Sequence, residues 1–283
     1  DHISALPGQA FQDLSHYQIS NLDPSVMSAF TADNIEALPA QAFSAFTEDH
    51  IANLQAETFE SFNNQDVSNL QPEALSALDS SMLAAMEPDV MSGFSEHQIE
   101  HLSADILGEL DADHFNNFDA DAIGALTAEQ VSALPASIFT EEYVGDYAIQ
   151  QLANLSVDAV GGLTAEQIAH YPPEAVLNGF TPEFIGAIDA DVIGALTADQ
   201  VGNIGSIAWR EIDADTLGAI SPDSMTQFTD LGSVGEEAFS GLTADHISAL
   251  PGQAFQDLSH YQISNLDPSV MSAFTADNIE ALP

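Results

Sequence analysis

The chain has 283 residues, with 45 Asp plus Glu against one Arg and no Lys, for a formal net charge of −44. So strong a polyanion excludes nucleic acid as a natural partner, since phosphate contacts need Lys and Arg, and it disfavours anionic membrane surfaces for the same reason. Metal cations and basic proteins are the electrostatically suited company. There is no cysteine, which excludes disulfides, thiol catalysis and thiolate metal sites, while 45% hydrophobic residues set the chain apart from a disordered acidic tail.

Nothing in the sequence is long and apolar enough to span a membrane. The N-terminal DHISALP lacks the basic and apolar regions of a signal peptide and opens in mid-repeat, as an excised piece would. From Ile3 to Leu134 an eight-residue pattern runs without a break, and Thr31–Leu38 (TADNIEAL) serves as its template. The template is a cap residue, three mostly polar or small residues, an apolar residue, two small or polar residues and a second apolar residue. The first apolar position reads Ile3, Phe11, Ile19, Met27, Ile35 and so on to Val131; the second reads Leu6, Leu14, Leu22, Phe30, Leu38 and so on to Leu134. No polar residue intrudes at either position.

Past Leu134 the pattern slips three times. Residues 135–147 (PASIFTEEYVGDY) carry five residues beyond an octad, residues 172–180 (PPEAVLNGF) carry one, and residues 229–242 (TDLGSVGEEAFSGL) carry six. Regular octads resume at Thr243. A larger repeat lies over the small one: residues 245–283 are identical to residues 1–39, an offset of 244. Octads inside that span differ freely from one another yet match residue for residue across it. This predicts a 244-residue higher-order unit within a long tandem array, the whole of residues 1–283 forming one elongated repeat domain.

The apolar spacing alternates three and five. A strand needs two, and one continuous helix needs an average near 3.6, so the chain must break and restart every octad. The prolines show where: all 13 fall at the cap position, as in Pro7 and Pro39, or one residue later, as in Pro24 and Pro72. Proline is tolerated at the first helical position and disruptive inside. Thr, Asp or Ser holds most other cap positions, where a side-chain oxygen satisfies free N–H groups. Thr127 and Thr164 have a Gln three residues on, the capping-box spacing. Gly108, Gly124, Gly186, Gly194, Gly202 and Gly218 lie between the apolar positions, where backbones can approach closely. Two buried side chains per octad do not offset the ordering of eight residues, so octads must stack. The predicted fold is an all-α solenoid, a superhelix of short helices with both apolar positions inward.

The runs Leu126–Leu134 (LTAEQVSAL), Leu163–Ile168 (LTAEQI) and Leu196–Val201 (LTADQV) fit the pattern L-T-x-x-Q-[IV]-x-A-L. The chain thereby resembles the octad arrays of giant repetitive bacterial surface and secreted proteins. The resemblance implies an extracellular, structural or adhesive role and carries over no catalytic residue.

Candidate sites are few. His97-Gln98-Ile99-Glu100-His101 has H-x-x-E-H spacing, but Ile99 and Leu102 fill ordinary apolar positions, so it reads as a surface coincidence rather than a zinc site. The D-A-D segments Asp111/Asp113, Asp119/Asp121, Asp189/Asp191 and Asp213/Asp215 read first as helix caps with a second favourable acid, and alternatively as weak Ca²⁺ ligands. Trp209 falls at a core position beside Arg210, which is expected to meet Glu211 or Asp213; together with Tyr143 and Tyr147 in the first irregular stretch they are contact candidates. No nucleophile or acid–base pair stands out, so no enzyme is expected. The favoured function is a structural segment of a giant tandem-repeat extracellular protein, a fibre, stalk or adhesin shaft whose partners are further copies of the same unit, in cis or in trans. The alternative is an α-solenoid module that binds a basic protein or a glycan, with cation dependence.

Overall fold

The computed structural model describes residues 3–139 and 154–283. All elements are helical, and no strand occurs among the described residues. Each regular octad forms one short turn. Thr31 is extended (φ −107°, ψ 165°), Ala32–Glu36 is α-helical, and Leu38 closes the turn by donating its N–H to the Ile35 carbonyl at 3.0 Å. The chain leaves each turn through an extended residue, as at Phe30 (φ −70°, ψ 141°). A pair of extended residues between turns is what changes the chain's direction every octad.

Two kinds of turn alternate through most of the first half. One kind begins with a side-chain cap and is α-helical: His16–Ser20, Ala32–Glu36, Glu48–Ala52 and Asn64–Asn69. The other is often 3₁₀: Pro24–Ala29, Ala40–Ala45, Ala56–Ser61 and Pro88–Gly93. The alternation gives a sixteen-residue period on top of the octad, one that hydropathy alone does not reveal.

The described residues form two compact units, one holding residues 3–138 and 154–156, the other residue 139 and residues 157–283. Within each unit a turn packs on the turns three octads away. Asn64–Asn69 lies against both Ala40–Ala45 and Pro88–Gly93, and Ala198–Asn203 lies against Pro222–Gln227. Because three is odd and the kinds alternate, an α turn commonly packs on a 3₁₀ turn.

The core contains the two expected apolar positions and a third. The residue just before the first apolar position is buried as well: Ala42, Ala74, Met82, Val90, Ile106 and Ala122 where it is apolar, and Asn34, His50, Asp66, Gln98, His114 and Gln130 where it is polar. The polar ones tie neighbouring layers together. Gln98 accepts from the Ser95 N–H at 2.9 Å and donates its amide to the carbonyls of Val67 (2.7 Å) and Leu70 (2.8 Å). Gln130 does the same with Thr127, Ile99 and Leu102, and Gln200 with Thr197, Ile168 and Tyr171. His50 and His246 reach the carbonyls of Leu22 and Ile220 through Nε2 while Nδ1 accepts from the capping threonine's N–H. One side chain thus satisfies a free donor at its own helix start and free acceptors at the end of a turn in the adjoining layer.

Two of the three irregular stretches, 172–180 and 229–242, are absorbed as extra helical turn, while residues 140–147 of the first lie outside the described residues. The one-residue excess of 172–180 lengthens a helix to Pro173–Gly179. The excess of 229–242 adds a 3₁₀ turn at Leu231–Ser233 before Glu236–Gly241, and Gly235 donates to the Trp209 carbonyl at 3.2 Å. No described helix is long and apolar enough to cross a membrane.

Candidate functional site

Layer stacking brings two sequence candidates together. Glu96–Ile99 packs on Ala120–Gly124, three octads on. Between them runs an open groove of about 390 Å³ lined by Glu96, His97, Asp119 and Asp121, continued by a second of about 410 Å³ lined by Glu96, Glu100, Asp121 and Asn154. Inside it His97 pairs with Glu100 at 3.4 Å, and His101 Nδ1 meets the His97 carbonyl at 2.9 Å. The H-x-x-E-H residues therefore engage one another on the surface. Among the described residues no group of three or more His, Asp or Glu is arranged to hold a metal ion. The two grooves gather the carboxylates of Glu96, Glu100, Asp119 and Asp121.

The D-A-D segments divide. Asp111 accepts from the His114 N–H at 2.9 Å and lies 2.7 Å from His114 Nδ1, while His114 Nε2 faces the Met86 carbonyl at 3.0 Å. Burial acts to raise the Asp111 carboxyl, but the hydrogen bonds and charge of His114 outweigh it and hold the group below the ordinary value. Asp213 caps through the Thr216 N–H at 2.7 Å, and that bond lowers its pKa. Asp119 and Asp189 stand at helix starts with no side-chain cap bond. Asp113, Asp121, Asp191 and Asp215 occupy the first turns of their helices.

Trp209 is buried, with its ring 4.3 Å from that of Phe228. Arg210 departs from expectation. Its side chain is exposed, and the ion pairs among the described residues are His97–Glu100 and His114–Asp111, not a pair of Arg210 with Glu211 or Asp213. The turn Ser206–Glu211 directs Trp209 inward and so leaves Arg210 outward. Tyr143 and Tyr147 lie outside the described residues.

The two identical segments supply the most informative surfaces. They share an internal structure: Phe11–Phe30 and Phe255–Phe274 both have ring centroids 5.3 Å apart, and the caps at Ser15, Thr31, Ser259 and Thr275 are the same. Their surroundings are opposite. In residues 1–39, Met27 and Ile35 are 0% exposed, under turns from Ala40–Ala45 to Ala56–Ser61; their counterparts Met271 and Ile279 are 50% and 58% exposed. Conversely Leu6 is 46% exposed, whereas Leu250 is 3% exposed in a segment backed by the turns Pro222–Gln227 and Glu236–Gly241. Gln18 is exposed, while Gln262 is buried and donates to the Val234 carbonyl at 2.8 Å. One copy is covered on its following side and open behind; the other is covered behind and open in front.

Comparison with protein-family models gives no match to this chain, and comparison with curated proteins gives none either.

Of the D-A-D segments the sequence read as caps, Asp111 and Asp213 cap and Asp119 and Asp189 do not; Trp209 is in the core as read, but the buried residue before the first apolar position, polar in many octads, went unmarked. Its signal was present: a cap residue with Gln, Asn or His three residues on, in Thr31/Asn34, Thr47/His50, Ser95/Gln98, Thr127/Gln130 and Ser259/Gln262.

Proposed function

We propose that the chain is a structural segment of a giant tandem-repeat extracellular protein, in which octads wind about three to a turn into an α-solenoid serving as a fibre, stalk or adhesin shaft. The carrying observation is the complementary exposure of the identical segments. Met271 and Ile279, left open in 245–283, have counterparts Met27 and Ile35 in 1–39 that residues 40–61 cover, and Leu6, open at the back of 1–39, has a counterpart Leu250 in a segment that residues 222–241 cover. Joining units at that overlap covers both faces with contacts already formed within the units, as a linear repeat array requires. The inter-layer hydrogen bonds of Gln98, Gln130, Gln200 and Gln262 support the winding, because each reaches back 28 or 29 residues, between three and four octads. In this reading the carboxylate-lined grooves gather cations diffusely, Ca²⁺ included, and catalysis plays no part.

The test is a two-unit chain, made by placing residues 40–283 after Pro283. Small-angle scattering should show its maximum dimension growing in proportion to length, with thermal stability no lower than that of one unit. Growth near the cube root of length, or two units melting independently, would contradict the array.

A further inference from the structure

Gln98, Gln130 and Gln200 tie adjoining layers together with an amide, a group that does not titrate. His50 and His246 fill the same position with an imidazole, the side chain whose ordinary titration falls between about pH 5 and 8. Both rings are buried, 2% and 1% exposed. Nδ1 of His50 accepts from the Thr47 N–H at 3.1 Å, and Nδ1 of His246 from the Thr243 N–H at 3.0 Å. Each Nε2 faces a carbonyl, that of Leu22 at 3.2 Å or that of Ile220 at 2.7 Å. Nδ1 must accept and Nε2 must donate, so both sites fit the neutral ring with its hydrogen on Nε2. His114 has an oxygen at each nitrogen, from the Asp111 carboxylate and the Met86 carbonyl, and is not such a site.

We propose that His50 and His246 are acid-sensitive locks, which release their layers when the imidazole takes up a second proton. A hydrogen on Nδ1 points at the N–H of the capping threonine. The threonine hydroxyls, 3.0 and 2.9 Å from Nδ1, can turn to accept it, but the Thr47 and Thr243 N–H groups then lose their acceptor. The new charge is also buried without a counter-ion, since the ion pairs among the described residues are His97–Glu100 and His114–Asp111. Around His50 the carboxylates are Glu48 and Asp49 on its own turn, Glu73 on the packed turn Pro72–Leu75, and Asp23 beside the packed turn Pro24–Ala29; all are exposed. Around His246 they are Asp245 on its own turn, Asp223 on Pro222–Gln227 and Asp267 beside Pro268–Ala273, again exposed. The folded chain therefore takes up fewer protons at these two positions than the unfolded chain, and its stability falls as pH falls through the histidine range. The net charge of −44 attracts protons to every histidine, so the buried geometry is what sets these two apart.

Glutamine at the same position supplies a control that the chain itself already uses. The variant His50→Gln/His246→Gln should keep both inter-layer bonds and lose their pH dependence. Thermal melts of variant and wild type at about pH 7.5 and about pH 5.5 read the difference. The melting point of the variant relative to wild type should rise by about 3–5 °C from the higher pH to the lower. Each single variant should show part of that rise, and exposed His260→Gln none. A relative melting point that is the same at both pH values, or a rise that His260→Gln reproduces, would overturn the locks. Nitrogen NMR of the wild-type rings makes the same test without a substitution. His50 and His246 should keep their hydrogen on Nε2 alone for as long as their turns stay folded. Rings that carry a hydrogen on both nitrogens in a fully folded chain would overturn the proposal.

Discussion

At the scale of single residues, the third core position sets the energetics. Gln130 closes its own helix start and two carbonyls of the adjoining layer. Gln130→Ala leaves these groups without a partner and is expected to lower stability by about 3 kcal/mol, against less than about 0.5 kcal/mol for exposed Glu129→Gln, in denaturant unfolding. Asp66 takes the same position. It accepts from the Asn63 N–H at 3.1 Å, but a carboxylate has no hydrogen to give to a carbonyl in the next layer, and burial raises its pKa. With the folded pKa above the unfolded one, ionised Asp66 costs stability above the ordinary carboxylate range, and that cost vanishes below it. Asp66→Asn should therefore gain about 1 kcal/mol at pH 7, a gain that shrinks on acidification. A gain independent of pH would contradict this assignment. Asp79 and Asp213 carry the opposite sign: the Ser81 hydroxyl and then the Met82 N–H lower Asp79, and the Thr216 N–H lowers Asp213, so the stability they contribute at neutral pH is lost as pH falls through their folded pKa. The apolar positions were legible because every octad repeats them. The locking position was hidden because its residues, Ala42, His50, Thr58, Asp66 and Met82, share burial and not chemistry.

At the scale of elements, the sequence showed where the chain restarts and not how it winds. Prolines and caps mark each boundary; the winding depends on the dihedral angles of the extended residues between turns, which hydropathy does not encode. Close approach of backbones was also legible only in part. Gly108 and Gly194 do face carbonyls of the next layer, those of Ala133 and Ala219, each 3.1 Å from an added Cβ, whereas Gly186 has open space around it. Gly93 is tighter, since an added Cβ would run into the Asn64 carbonyl. Gly93→Ala should cost about 2 kcal/mol through overpacking. Gly186→Ala, inside the helix Pro182–Ala187 and without positive φ, should gain roughly 0.5–1 kcal/mol. Thermal melts of the two variants check both signs, and a shift in the same direction for both would contradict the layer spacing.

At the scale of the whole molecule, the carboxylates repel one another with almost no basic residue to offset them. Stability should rise steeply from low salt to about 0.15 M NaCl, where screening acts over about 8 Å, and a further rise in millimolar Ca²⁺, reversed by chelator, would mark binding beyond screening. A melting point indifferent to NaCl would contradict the repulsion. The charge and the 244-residue offset were both plain in the sequence; which faces the overlap leaves open was not, because burial depends on neighbours three octads away. The central claim is that residues 40–61 following a copy of residues 1–39 continue the array. Hydrogen exchange across residues 268–283 tests it most directly, in the 283-residue chain and in a chain extended by residues 40–61 after Pro283. The array predicts that amides from Met271 to Leu282 become as protected in the extended chain as those from Met27 to Leu38 are in the first copy. Equally fast exchange in both chains would contradict it.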